Sequence, residues 1–239
     1  MSPRRITTLL LDLDGTLLDV EIGAFLEVFY PLAAARFGAP GDARTIIRAM
    51  ACAARLMMQA RTGARTVDHV FLEAFAPAVG ATPEEVRETF AAFYREDFER
   101  LRRLVRPLAE ARPLVERALE LGFELVLATN PVFFLEPIRR RARWAGLADV
   151  PFALVTGAEI MRWTKPHAGY YEQILEVVRR RPEQCLMVGD DPRLDMAAKQ
   201  AGIATWLAVR EGEEPKESPL ADRRGTLAEL AAGLEAGRE

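Results

Sequence analysis

The sequence predicts an α/β fold, a doubly wound parallel sheet interrupted once by a block of helices. Short apolar runs alternate with helical periodicity through the second half of the chain, which implies parallel strands joined by crossover helices. One further apolar run stands near the start. Between it and the alternating half, helical periodicity occurs alone.

The first run, Ile6 to Leu11, has little polar interruption and fits a central strand covered on both faces. It ends in Asp12-Leu13-Asp14-Gly15-Thr16. Carboxylates two apart point to opposite faces of a regular strand, so a working pair needs the chain to turn, and Gly15 permits the bend. The plain alternative is a strand followed by an Asp-Gly turn. Four more strands are expected at Glu124–Ala128, Phe152–Thr156, Cys185–Gly189 and Ala204–Val209. Helical spacing separates them: Leu114, Val115, Ala118 and Leu119 before Gly122, Ile138 to Trp144 before Gly146, Tyr170 to Val178, and Met196 to Ala201 before Gly202. Glu211 to Pro219 reads as a loose connector to a last helix at Leu227–Leu234.

From Thr16 to about Arg106 no convincing strand is visible. Apolar residues recur instead at Ile22, Phe25, Leu26 and Phe29, and again at Val67, Val70, Phe71, Ala74 and Phe75. Gly38-Ala-Pro-Gly41 and Gly80-Ala-Thr-Pro83 punctuate this stretch, Thr82 with Glu85 reads as a capping box, and Pro31 is expected to end or kink the first helix. The expected division is a core of residues 1–16 and 107–239 and a helical cap of residues 17–106, set above the end of the first strand as a lid against water.

Bulk properties narrow the class. At 239 residues, 50% hydrophobic and mean hydropathy −0.02, the chain suits a globular protein with a sizeable core. A net charge of −3 and a pI near 5.7 argue against general nucleic-acid or anionic-membrane partners, and the arginine clusters Arg139–Arg143 and Arg179–Arg181 read as solvated helix faces. With only Cys52 and Cys185 and two histidines, neither a disulfide framework nor a zinc site is indicated, which suits a reducing cytoplasm. The run after Arg4 and Arg5 meets Asp12 too early for a signal peptide, and nothing approaches a membrane span. Oligomeric state is not readable.

The chemistry lies where apolar runs stop. The second strand ends in Ala128-Thr129-Asn130-Pro131, the fourth in Gly189-Asp190-Asp191-Pro192, and Thr164-Lys165-Pro166 follows the third, so all converge with Asp12 and Asp14 on one sheet edge. Taken in order, Asp-x-Asp-Gly-Thr, Thr-Asn, Lys-Pro and Gly-Asp-Asp-x-x-x-Asp resemble the motifs of the haloacid dehalogenase-like superfamily of phosphohydrolases, over essentially the whole chain. The resemblance implies a Rossmann-like core with a cap inserted after the first motif, and a phosphatase acting on small phosphate monoesters. It implies Asp12 as nucleophile and Asp14 as general acid and base, with Thr129, Asn130 and Lys165 holding the phosphoryl group. Mg2+ would lie on Asp12, the Asp14 carbonyl and Asp190, supported by Asp191 and Asp195. The electrostatics agree: a phosphate dianion repels a carboxylate, each unit pair at about 4 Å costing roughly 4 kcal/mol at an effective dielectric of 20, so cations must accompany Asp12.

Each residue has a plainer reading. Thr129 suits a strand end and Asn130-Pro131 a turn. Lys165 is one of three lysines, with 199 and 216, in an arginine-dominated chain, which suggests a site wanting a compact ammonium. Asp191 before Pro192 is equally an N-cap, and Asp195 could pair with Lys199 one turn on, although its spacing after Asp190 matches the superfamily's second acidic position. His167 reads as a loop or cap residue, His69 is unassigned, and Met57-Met58 reads as packing. A true dehalogenase has no need of Asp14. A phosphomutase or a non-catalytic aspartyl-phosphate acceptor are the remaining alternatives. Arg61, Arg65 and Glu21 are candidates for substrate contact, which would suit a polar or acidic metabolite.

Overall fold

A computed structural model of the chain describes residues 6–38, 43–60, 62–210, 212 and 217–234. The elements run β1 (Thr8–Leu11), β2 (Leu18–Val20), α1 (Ile22–Ala34), α2 (Ala43–Gln59), α3 (Val67–Phe75), α4 (Pro83–Glu96) and β3 (Val105–Pro107). They continue with α5 (Ala111–Glu120), β4 (Glu124–Leu127), α6 (Leu135–Trp144), β5 (Leu154–Val155), α7 (Ala168–Val178), β6 (Cys185–Gly189), β7 (Ala204–Ala208), β8 (Arg223–Gly225) and α8 (Leu227–Gly233).

Six strands form one parallel sheet in the order β5-β4-β1-β6-β7-β8. The fold is therefore α/β and Rossmann-like, and the winding reverses between β1 and β6, the place where such sheets open a crevice beyond their strand ends. The residues of β1 are fully buried and divide between the two faces. Leu9 and Leu11 join a cluster with Leu114, Ile138 and Leu227, whereas Leu10 joins Val126, Tyr170 and Ile174 on the other side. Helices cover the sheet on both faces, so strands that read as apolar runs rather than alternations are what the burial demands.

The strand expected at Cys185–Gly189 has those bounds, and the other four are shorter than their apolar runs because the outer residues leave the ladder. Three features depart from expectation in kind. The stretch 16–106 does contain strand: β2 and β3 pair antiparallel, Leu18 with Pro107 and Val20 with Val105, where the helical insertion leaves and rejoins the sheet domain. The edge strand β8 was not visible in the sequence, and Met196–Ala201 is a 3-10 segment rather than an α-helix. Pro31 does not end α1, which continues for three more residues. Pro31 and Glu27, the carbonyl it leaves without a donor, both face solvent, where water replaces the missing bond. The capping box at Thr82 and Glu85 opens α4. Of the expected breaker at 38–41 only Gly38 is described, and residues 211 and 213–216 of the expected connector lie outside the described residues.

Helices α1, α3 and α4 and the 3-10 segment after α4 pack on the sheet domain through aromatic side chains. Phe29 lies 5.3 Å from Phe133, Phe90 5.6 Å from Phe134, and Phe98 stacks on Trp144 at 5.1 Å. Two backbone bonds tie the start of α3 to the segment after β5, Val67 N–H to Met161 at 2.8 Å and Asp68 N–H to Ala158 at 3.1 Å. Among the described residues, no helix is long and apolar enough to cross a membrane.

Candidate active site

Continuing the β1 register by one residue places Asp12 level with Ala128 and Gly189, at the point where the winding reverses. Its N–H donates to Val188 at 2.9 Å, so its backbone is still held by the sheet while its carboxylate stands beyond it. The chain then turns tightly: Leu17 and Leu18 N–H both return to Leu13, and Gly15 adopts φ +88°. Gly15 is required twice over, since a Cβ there would also lie 2.5 Å from Asp190 Oδ1. At the end of β6 a Cβ on Gly189 would lie 2.2 Å from Asp195 Cγ, so that glycine admits the Asp195 carboxylate against the strand end.

Lys165 is the centre of charge. Its ammonium, almost fully buried, donates to Asp12 Oδ1 at 2.8 Å and Asp195 Oδ1 at 2.5 Å, and lies 5.8 Å from the centre of the Tyr170 ring. Its N–H is held by Asn130 Oδ1 at 3.2 Å, and the Lys165-Pro166 peptide is cis. Burial alone would lower the lysine's pKa; the Asp12 and Asp195 carboxylates override it and hold the ammonium well above its usual range. Asp12 is raised well above an ordinary carboxylate by burial, with Lys165 opposing and Asp195 and Asp190 reinforcing the rise. One ammonium faces too many carboxylates.

Oxygen atoms of Asp12, Asp190 and Asp195 lie within 4.8 Å of one another. Carboxylate oxygens gathered with insufficient positive charge suit a hard divalent cation. Both oxygens of Asp195 accept, one from Lys165 and the other from the Asp191 N–H at 2.9 Å, whereas Lys165 takes only one oxygen of Asp12, so Asp12 with Asp190 could hold such an ion. Thr16 Oγ1 bridges these two at 3.4 and 3.3 Å.

The other expected residues fall as follows. Thr129 is buried, its carbonyl accepting from Tyr170 and Thr156 hydroxyls, both at 2.8 Å, and with Asn130 it lines the same cavity as the acidic cluster. Asp191 caps the turn that follows it, accepting from Arg193 and Leu194 N–H at 2.8 Å, and also lines the cavity. Asp195 does not pair with Lys199, whose ammonium is on Asp222. His167 caps α7 through Nδ1, and His69 is exposed beside Glu73. Glu21 caps α1, Arg65 is exposed and paired with Glu73, and neither lines the cavity; Arg61 lies outside the described residues. Met57, 2% exposed, packs in the core as expected and also lines the cavity, whereas Met58, 49% exposed, lines it without being buried.

Arg141 corrects the sequence reading. Within the arginine cluster expected to be solvated it is 1% exposed, and its guanidinium lies 4.5 Å from the centre of the Phe133 ring and ion-pairs with Asp14. Arg139 and Arg143 are exposed as expected, and Arg179 to Arg181 are at the surface. A signal was present: Ile138, Arg141, Ala142 and Ala145 follow the spacing of a buried helical face. Arg141 Nε and Nη2 and Asp14 Oδ1 are buried without partners. Tyr171, also not foreseen, braces the site by donating its hydroxyl to the Leu194 and Asp195 carbonyls.

Carboxylates and one buried ammonium beyond the ends of a parallel sheet define an α/β enzyme with an acid-centred site. The chain belongs to the haloacid dehalogenase-like hydrolases, whose family model matches residues 6–202. It is 37% identical over 156 residues to phosphoserine phosphatase of Thermus thermophilus, a match covering 64% of this chain and 59% of that relative's length. It is 29% identical over 221 residues to N-acetylmuramic acid 6-phosphate phosphatase of Pseudomonas aeruginosa, covering 92% of this chain and 88% of the relative. Among solved structures, a HAD phosphatase from Thermococcus onnurineus superposes with a TM-score of 0.60 at 19% identity, over 98% of this chain and 100% of that one. A 2-haloacid dehalogenase from Pseudomonas syringae also reaches 0.60, at 23% identity over 97% and 98%. At such identities the structural likeness shows the fold.

Proposed function

We propose that the protein is a magnesium-dependent phosphomonoesterase acting on a small phosphate ester in the cytoplasm, working through an aspartyl-phosphate. The observation that carries this reading is the Lys165 ammonium bound to both Asp12 and Asp195 beside Asp190, an arrangement that presents a carboxylate nucleophile next to one fixed cation and a carboxylate pair suited to a second, divalent one. The phosphatase names of the relatives point the same way.

In this reading Asp12 attacks phosphorus in line through a carboxylate oxygen. The ester P–O bond breaks as Asp14 gives its proton to the departing alkoxide. Asp14 then takes a proton from the water that attacks the aspartyl-phosphate, releasing inorganic phosphate and restoring Asp12. Thr129, Asn130 and Lys165 hold the phosphoryl oxygens, Asp195 fixes Lys165, and Asp191 shapes the loop beside Asp190. Asp12, Asp190 and the Asp14 carbonyl would hold the magnesium ion, which supplies the positive charge that one ammonium lacks. Residues 1–16 and 107–239 form the catalytic core and 17–106 the cap that keeps bulk water out.

Phosphate release from small monoesters, with magnesium and with chelator, tests the reading. The native chain is expected to release phosphate only with the metal and Asp12→Asn to release none. Normal metal-dependent turnover by Asp12→Asn would sink the nucleophile assignment.

A further inference from the structure

We infer that the leaving group taken by this enzyme is apolar and uncharged, the substrate being a hydrophobic alkyl or aryl phosphate rather than a carboxylated or sugar-like one. This rests on the phosphomonoesterase reading above.

The cavity over Asp12 has a volume of about 430 Å³ and is chemically divided. Its polar wall consists almost entirely of the sheet-edge residues already assigned to the phosphoryl group and its cation. Away from that edge the lining is hydrocarbon, sulfur and aromatic ring: Leu26, Met50, Met57, Phe71, Phe90 and Phe134 are representative. Among the described residues, Lys165 is the single cation on the lining, and it is occupied by Asp12 and Asp195.

The polar exceptions on the distal wall supply no cation. Asp68 is 3% exposed and its carboxylate accepts from Arg87 at 2.6 and 3.0 Å and from Thr66 at 2.5 Å, a closed ion pair whose charges cancel and whose carboxylate is already spoken for. Tyr30 and Tyr94 offer a hydroxyl each on otherwise apolar rings. A leaving group bearing a carboxylate would lose its water here without gaining a cation among the described lining residues. A polyhydroxylated group would likewise leave its hydroxyls largely unmatched. A hydrocarbon chain or aromatic ring gives up no hydrogen bonds to water by entering and removes apolar wall from water. The flexible thioethers of Met50, Met57 and Met58 adapt to such shapes.

Straight-chain alkyl phosphates from propyl to hexyl provide the test, because lengthening the chain adds buried surface while leaving the reacting ester essentially unaltered. With phosphoglycolate and phosphoserine as charged competitors, kcat/KM is expected to rise about fourfold per added methylene, and hexyl phosphate to exceed both competitors. Met58, 49% exposed at the cavity's rim, tolerates a charge, and Met58→Lys is expected to shift the ratio of hexyl phosphate to phosphoglycolate toward phosphoglycolate by about fivefold. A flat or falling alkyl series, or charged competitors ahead of hexyl phosphate, overturns the inference and leaves the phosphatase reading standing. Absence of release from every ester rejects the phosphatase reading instead. Calorimetric titration then decides the pocket's preference: tighter binding of hexylphosphonate than methylphosphonate upholds it, and equal binding overturns it.

Discussion

Arg141 holds the carboxylate to which the proposed mechanism gives both proton transfers. Its guanidinium is wedged against Phe133 and bound to Asp14, with two of its nitrogens left unmatched in the interior. Orphaned buried donors are costly, and so is a buried ion, so this arrangement favours geometry over stability. Arg141→Met keeps an unbranched apolar stem and removes the charged head, and Asp14, whose side chain is 21% exposed, can rehydrate. The expected outcome is a kcat lowered by up to about a hundredfold with little change in KM, and a thermal midpoint not lowered. Steady-state kinetics and a thermal melt on the same preparation check both halves; a large loss of stability with proportionate loss of activity would make Arg141 a packing residue only. At this scale the sequence was legible where polar residues interrupt apolar strands, which is how Asp12, Thr129 and Asp190 could be picked out. Arg141 and the bridging Thr16 hydroxyl escaped because their roles depend on which distant carboxylate they meet.

Among the elements, α1 shows local preference overridden by tertiary packing. Its apolar stripe, Phe25, Phe29 and Ala33, is buried on both sides of Pro31, and that burial carries the helix through the proline. Because Pro31 is exposed, Pro31→Ala is expected to stabilise the protein by about 2 kcal/mol, the helical gain being offset in part by a freer unfolded chain. Equilibrium urea unfolding measures this, and an unchanged or lower midpoint would show that the helix accommodates proline without penalty. The strands β2, β3 and β8 went unseen for a different reason. Each has three residues, too few for alternation to register, and β2 and β3 are specified by pairing Leu18 with Pro107 across the whole insertion. The wall of the cavity was illegible too, since Met57 or Phe71 follows the same helical spacing whether it packs or lines a void.

Over the whole molecule, the order of winding was readable and the joint between insertion and sheet was not. Alternation of apolar runs with helical periodicity was enough to give a parallel α/β sheet and the edge where its chemistry gathers. What the pattern could not express is that Phe133, Phe134 and Trp144 of the sheet domain share a continuous apolar cluster with Phe29, Phe90 and Phe98 of the insertion. The roof and floor of the cavity are thus braced by the same aromatic packing.

The ends of the sheet carry one last consequence. A parallel sheet stops with unpaired backbone groups along its outermost strands, an invitation to fibrous self-association. Here β5 has two residues and β8 has three, and Arg223 and Arg224 stand exposed along β8. An approaching copy would meet little backbone to extend and two like charges facing its own. Arg223→Thr with Arg224→Val removes that repulsion and raises strand propensity at the margin. Light scattering at high concentration is expected to rise in that double variant relative to the native chain, and scattering equal to that of the native chain would show that strand brevity alone keeps neighbouring molecules apart.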